Sequence, residues 1–224
     1  MRTRTLAIVL AALLSAGILS AQNNEAAFAN FDRYAADNAA LTVRPRAVLF
    51  GDSITDFWPR ADAEFFTGHN FVGRGISGQT TSQMVLRFRD DVVALKPKYV
   101  AILAGTNDVA RNHGITPNEV TVGNIITMCE IARANGIRPV ICSILPCSAY
   151  RWRPEVTDVV EQIDRINAAL REYARTHRGV EFVDYNTPLR NAAGGLDPEL
   201  SEDGCHPTPA GYKRMEAILL KALK

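Results

Sequence analysis

The chain has 224 residues, with 25 Lys and Arg against 24 Asp and Glu and a formal net charge of +1. Its 47% hydrophobic and 22% charged residues argue against a disordered or collagen-like chain. The near-neutral balance, with no basic run interleaved with aromatics, argues against a nucleic-acid binder, which needs a positive stripe to neutralise phosphates.

Arg2 and Arg4 precede an uncharged apolar stretch, Leu6 to Leu19, and Leu19-Ser20-Ala21 supplies a small residue at a cleavage point. This is the pattern of a signal peptide over residues 1–21, with Gln22 as the mature start. The stretch is short for a membrane span, which needs about 20 apolar residues, although an uncleaved anchor is the alternative. No Cys stands at the cleavage point, so lipid attachment there is excluded. The expectation is an exported protein, periplasmic or secreted, with no span after cleavage and one domain over 22–224.

Beyond the leader, Glu25 to Leu41 has helical spacing, and Arg46 to Phe50 is a short apolar run closed by Gly51. Phe71-Val72 is a weaker run closed by Gly73 and Gly75. Thr80 to Leu95 reads as an amphipathic helix with Met84, Val85, Phe88 and Val92 on one face, ended by Pro97. Tyr99 to Leu103 is β-prone and continuous. Thr116 to Asn135 reads as a helix, with Thr116 as N-cap, Pro117 at the first position and Asn135-Gly136 as its close. Pro139 to Leu145 is a strand, Glu155 to His177 a long helix, Val180 to Val183 a last strand, and Pro207 to Leu223 the terminal helix.

Unbroken apolar strands alternating with helices predict an α/β fold. It should be a single-domain, doubly wound (flavodoxin-like) three-layer sandwich around a five-stranded parallel sheet. Ligands bind such folds beyond the carboxyl ends of the strands. The segments there are Gly51-Asp52-Ser53, Gly75 to Gly78, Gly105 to Asp108, Pro146 to Arg153, and Asp203-Gly204-Cys205-His206.

Ser53 sits at a strand-to-helix turn, where a hydroxyl can project into a cleft. A serine hydroxyl needs a base to remove its proton, and His206 is suited because imidazole titrates near neutrality. Asp203, on the same loop, can accept from imidazole Nδ1–H and fix the tautomer; triads are defined by geometry, not by chain order. Taken singly, Ser53 could be a helix cap, His206 a neighbour of one and Asp203 a turn former. Together those readings require three coincidences at one sheet edge. The Gly-x-Ser-x-Gly elbow and the Gly-x-x-x-x-Gly-Lys phosphate loop are both absent, which disfavours an α/β-hydrolase fold and a nucleotide binder. His69, His113 and His177 lack partners at ligand spacing, so no metal is expected, and no cofactor.

These segments resemble the blocks of the SGNH hydrolases, also called GDSL esterases. The first block is matched by Gly51 to Thr55, the second by Gly75 to Thr80, the third by Gly105 to Asp108, and the last by Asp203 and His206. The resemblance implies a carboxylic ester hydrolase with an oxyanion hole from the Ser53 amide, the Gly78 amide and the Asn107 side chain. Gly75 is the alternative to Gly78. One departure stands at Gly73, where the family often has Asn. Asp52 and Asp108 read as structural, holding loops through backbone amides.

Trp58, Tyr150, Arg151 and Trp152 are candidate substrate contacts, since aromatics with arginines beside a site suit sugar rings; loop packing is the alternative. With no long apolar insertion for a lid or acyl tunnel, short acyl groups are expected, acetyl esters on carbohydrate above all. A lysophospholipase or thioesterase, and a catalytically silent carbohydrate-binding domain, are the competing readings. Cys147 and Cys205 lie in loops at the same edge and are candidates for a disulfide, with free thiols as the alternative; Cys129 and Cys142 read as buried thiols. The partner expected is a small-molecule or carbohydrate ester, and the oligomeric state is left open.

Overall fold

The computed structural model describes residues 27–223, so the expected signal peptide, residues 1–21, lies outside the described residues. Five strands form one parallel sheet in the order β2-β1-β3-β4-β5. They are β1 (Ala47–Gly51), β2 (Phe71–Gly75), β3 (Tyr99–Leu103), β4 (Arg138–Cys142) and β5 (Glu181–Val183). This is the doubly wound, flavodoxin-like order, whose direction of winding reverses between β1 and β3.

Alternation along each strand explains why the apolar runs are unbroken. Val48, Phe50, Val100, Ile102 and Ile141 face one helical layer, where Met84, Phe88, Met128, Ile163 and Leu170 cover them. That layer is α4 (Thr81–Phe88), α6 (Asn118–Ala134) and α7 (Val159–Thr176). Leu49, Ala101, Leu103 and Cys142 face the other, packed on Ile54, Trp58, Phe66, Tyr212, Met215 and Leu219. Those residues belong to α2 (Ser53–Ala61), α3 (Ala63–His69) and α9 (Pro209–Ala222). Further short helices among the described residues are α1 (Ala35–Ala40), α5 (Thr106–Val109) and α8 (Asn186–Leu189).

Several boundaries differ from those the sequence suggests. The first expected helix is broken at Asn30, which has a left-handed backbone (φ 54), and continues as one 3₁₀ turn over Phe31–Tyr34 before α1. The helix after β2 is capped by Thr80, whose backbone N–H donates to the Gln83 side chain at 2.9 Å, and passes into a π turn over Arg89–Val93. The next long helix starts at Asn118 with Pro117 as N-cap, one step later than read. β4 stops at Cys142, because Ser143 Oγ accepts the Tyr185 and Asn186 amides and the Ile144 amide donates to Asn167. Buried side-chain partners there replace the ladder, and the apolar run continues as loop.

One buried cation ties the working edge together. Arg87 is fully enclosed and donates to the Gly51 carbonyl at 2.9 Å, the Arg74 carbonyl at 3.0 Å and Gln79 Oε1 at 2.6 Å. Its charge is met by Asp91 at 2.8 Å, and the guanidinium lies over the Phe50 ring. Burial pulls the Arg87 pKa down, and the Asp91 contact opposes that shift. Because Asp91 is buried too, Arg87→Met should cost about 3–5 kcal/mol by leaving a carboxylate unpaired. Urea denaturation measures it. Adding Asp91→Asn should recover part of the loss, and a single variant of wild-type stability would contradict this role.

Candidate active site

Gly51 is in register with both Gly75 and Leu103, so three strands end level. Ser53 comes two residues after that line, Gly78 three residues after Gly75 and Asn107 four after Leu103. Asp52 is the N-cap of α2, its Oδ1 accepting the Ile54 amide at 3.1 Å, which makes Ser53 the first helical residue. Gly75 is a packing residue: a Cβ there would lie 2.6 Å from the Asp52 carbonyl oxygen and press on the Asp56 amide. Gly78 instead has φ +80 with open space where a Cβ would be, a conformation natural to glycine. At Gly73, a Cβ would come within 2.7 Å of Pro59 Cγ, so the ring of Pro59 takes the space that a larger residue would need.

Asp203 and His206 stand in the loop closed by the Ser201–Pro207 bridge. Asp203 Oδ1 accepts the amides of Cys205 at 2.8 Å and His206 at 2.7 Å, and its Oδ2 lies 2.6 Å from His206 Nδ1. His206 Nε2 lies 2.9 Å from Ser53 Oγ. Ser201 Oγ donates to the His206 carbonyl at 2.8 Å, fixing the loop from behind. Partial burial alone would raise the Asp203 pKa, but hydrogen bonds from the His206 ring, its amide and the Cys205 amide outweigh it and hold the carboxyl at about 2.

Asn107 is buried at the start of α5. Its Nδ2 donates to the Gln79 carbonyl at 3.0 Å, and its Oδ1 accepts from Asn112 Nδ2 at 2.7 Å. Asp108 accepts the Thr81 amide at 2.9 Å and the Thr81 hydroxyl at 2.6 Å, clamping α5 to α4. Asp52 is buried beneath the site with Oδ2 lacking a partner among the described residues. Burial pushes its pKa up to about 7, although His206 nearby pulls the other way.

The structure separates the four candidate substrate contacts. Trp58 is 2% exposed, donates to Glu216 at 3.1 Å and stacks on Phe65, so it belongs to the core and not to the cleft. Its helix explains the correction: Trp58 shares a face with Ile54, four residues back, whereas Phe57 shares one with Ser53. Phe57, which the sequence reading did not select, is 37% exposed with its ring 5.4 Å from that of His206. Tyr150 is 1% exposed and packs behind Trp152 at 5.0 Å, so it supports the wall without reaching a ligand. Trp152 is 40% exposed, 6.2 Å from the His206 ring. Arg151 is exposed and donates to the Glu202 carbonyl at 2.9 Å.

The expected bridge between Cys147 and Cys205 is not formed, although the two loops do meet. All four cysteines are free and buried. Cys147 donates to the Ala149 carbonyl at 3.3 Å, and a hydrogen bond between the two thiols, followed by burial, raises Cys205 well above the usual thiol range. Burial raises Cys129 and Cys142 to about 12.

A hydroxyl, an imidazole and a carboxylate joined in sequence at the switch point of a doubly wound sheet is an arrangement suited to serine hydrolases. The family model for GDSL-like lipases/acylhydrolases matches residues 49–214, and the chain belongs to that family. It is a carboxylic ester hydrolase. A GDSL-like lipase from Bacteroides thetaiotaomicron superposes with a TM-score of 0.84 at 43% identity, covering 88% of this chain and 98% of that one. The acetylxylan esterase of Geobacillus stearothermophilus is 23% identical over 70% of this chain and 73% of its own length. The uncharacterized lipoprotein YqeF of Bacillus subtilis is 36% identical over 83 residues, 34% of this chain and 33% of that protein.

The Asp52 pKa, raised above its ordinary value, implies that the folded state favours the protonated carboxyl. That stabilisation is complete below the ordinary pKa and is lost as pH climbs toward about 7. Asp52→Asn keeps an acceptor for the Ile54 amide and removes the titration. Urea midpoints at pH 4, 5.5 and 8 should show the variant gaining on the wild type between pH 4 and 7. A constant difference across that window would contradict the assignment.

Proposed function

We propose that the chain is an exported serine esterase that removes short acyl groups, acetyl above all, from carbohydrate. Ser53 is the nucleophile, His206 its base and Asp203 the carboxylate that orients the base. The observation that carries the reading is the continuous relay: Ser53 Oγ 2.9 Å from His206 Nε2, and His206 Nδ1 2.6 Å from Asp203 Oδ2. With Nδ1–H donated to Asp203, Nε2 is left as the acceptor for the serine proton.

Ser53 Oγ attacks the ester carbonyl carbon as its proton passes to His206 Nε2. The carbonyl oxygen becomes an oxyanion held by the Ser53 and Gly78 amides and the Asn107 side chain, where each preorganised donor is worth about 3–4 kcal/mol. The tetrahedral centre collapses, the alcohol departs with the proton from Nε2, and an acyl-serine remains. Water, giving its proton to Nε2, attacks that ester; the carboxylic acid then departs as Nε2 returns the proton to Ser53 Oγ.

Two exposed rings near His206, Phe57 and Trp152, support a flat ligand such as a sugar face. Arg151 stands next to Trp152 as a donor for hydroxyl or carboxylate groups. Acetylxylan esterase as a relative supports the same substrate class. The leader pattern over residues 1–21 supports export. Among the described residues no helix is long and apolar enough to cross a membrane.

Ser53→Ala should lower ester turnover by several orders of magnitude, leaving roughly the 10³–10⁴ over water that binding and the oxyanion hole supply. Its thermal midpoint should stay near that of the wild type, and retained turnover would remove Ser53 from the chemistry. Along a series of p-nitrophenyl esters, kcat/KM should decline from acetyl or butyryl to decanoyl. Each added methylene gains about 0.8 kcal/mol only where a pocket buries it. A rise with chain length would assign the site to lysophospholipids or thioesters instead.

A further inference from the structure

Asn112 lies five residues beyond Asn107 and is turned back onto it by Arg111, whose backbone is left-handed at φ 57. Residues other than glycine seldom adopt that conformation. The Asn112 amide donates to the Asn107 carbonyl at 3.0 Å. Its side-chain Nδ2 donates to Asn107 Oδ1 at 2.7 Å and, more weakly, to the Gly78 carbonyl at 3.3 Å. Asn112 Oδ1 accepts from the Trp152 indole at 3.2 Å. One side chain therefore touches two members of the proposed oxyanion hole and one wall of the cleft.

The chain of bonds has a polarity that chemistry dictates. An indole N–H can only donate, so Asn112 turns its oxygen to Trp152 and its NH₂ to Asn107. Asn107 then turns its oxygen to Asn112 and its NH₂ away from it. There one N–H meets the Gln79 carbonyl at 3.0 Å and the other is left for substrate. A side-chain amide has two orientations of nearly the same shape, and the wrong one would face an oxyanion with a partial negative charge. We propose that Asn112 is a positioning residue that selects the orientation in which Asn107 presents N–H, its own orientation being set by the Trp152 indole. The proposal rests on the reading of Asn107 as an oxyanion donor.

The test is a set of steady-state measurements on p-nitrophenyl acetate with Asn107→Ala, Asn112→Ala, Asn112→Asp and the combined variants, each checked by thermal melting. Asn107→Ala should lower kcat about 10²–10³-fold. Asn112→Ala should lower kcat about tenfold with KM changed by less than about twofold, since the donor acts on the transition state. Asn112→Asp, of the same shape but with an acceptor in place of NH₂, should draw the Asn107 NH₂ to itself and lower kcat further than Ala does. Once Asn107 is Ala, neither change at 112 should lower kcat again. Should variants at 112 not fold, Trp152→Phe keeps a ring and removes the N–H. It should produce a severalfold fall in kcat that disappears in the Asn107→Ala background. An Asn112→Asp enzyme as active as wild type, or equal losses with and without Asn107, would overturn the proposal while leaving Asn107 in place. An unchanged kcat in Asn107→Ala would overturn both readings together.

Discussion

The guanidinium of Arg87 meets the last residue of β1, a residue of β2, the Gln79 side chain after β2 and the carboxylate of Asp91, all without access to water. Carbonyls at the ends of parallel strands need donors, and that of Gly51 has the Ile76 amide at 3.1 Å as well as the guanidinium. A cation with five donors in a fixed fork satisfies several at once. Gln79, held by Arg87 on its side-chain oxygen, offers its backbone carbonyl to Asn107. The Ser53 turn, the Gly78 turn and Asn107 are thus tied to one buried charge, which the Asp91 pair keeps tolerable.

Two carboxylates near His206 are tuned in opposite directions by the same elementary terms. Asp203 collects two backbone amides and the imidazole, so its ionised form is favoured despite partial burial. Asp52 has one amide on one oxygen and nothing on the other, and burial dominates. Full burial with few donors raises Asp52, whereas partial burial with several donors lowers Asp203. The carboxylate beside the imidazole is thereby kept charged, and the one that caps α2 can be neutral beneath it.

The order of strands and helices was legible because strands covered on both faces are written as unbroken apolar runs. That signal fails at Ser143–Leu145, which is just as buried: the Ser143 amide still donates to the Val183 carbonyl, but Ile144 makes its hydrogen bonds to side chains of α7 and α8. Ser53, Asp203 and His206 were legible as polar residues directly after strands or in a short loop, a matter of spacing alone. Trp58 was not, because closeness to Ser53 in the chain does not say which side of a helix a residue faces. Once α2 is known to begin at Ser53, counting four residues selects Phe57 for the cleft and sends Trp58 inward. Arg87 was hidden more thoroughly, since an Arg with Asp four residues later is also the pattern of an ordinary exposed helix pair. Asn112 follows a left-handed Arg111, and no local sequence pattern announces such a turn.

Tyr34 donates to the Gly75 carbonyl, Gln79 Nε2 to the Ala29 carbonyl at 2.9 Å, and Gln83 Nε2 to the Phe28 carbonyl at 2.7 Å. The stretch from Ala27 to Tyr34 lies upstream of residue 49, where the family match starts, yet it holds the loop that carries Gly78 from the outer side. The span matched by the family model and the mechanical unit of this chain therefore have different borders. Grafting the 49–214 segment into another protein would carry Ser53, Asn107, Asp203 and His206 but leave the Gln79 and Gln83 side-chain amides without these acceptors. Substitutions in this upstream stretch would alter the stiffness of the Gly78 loop without touching Ser53, Asp203 or His206.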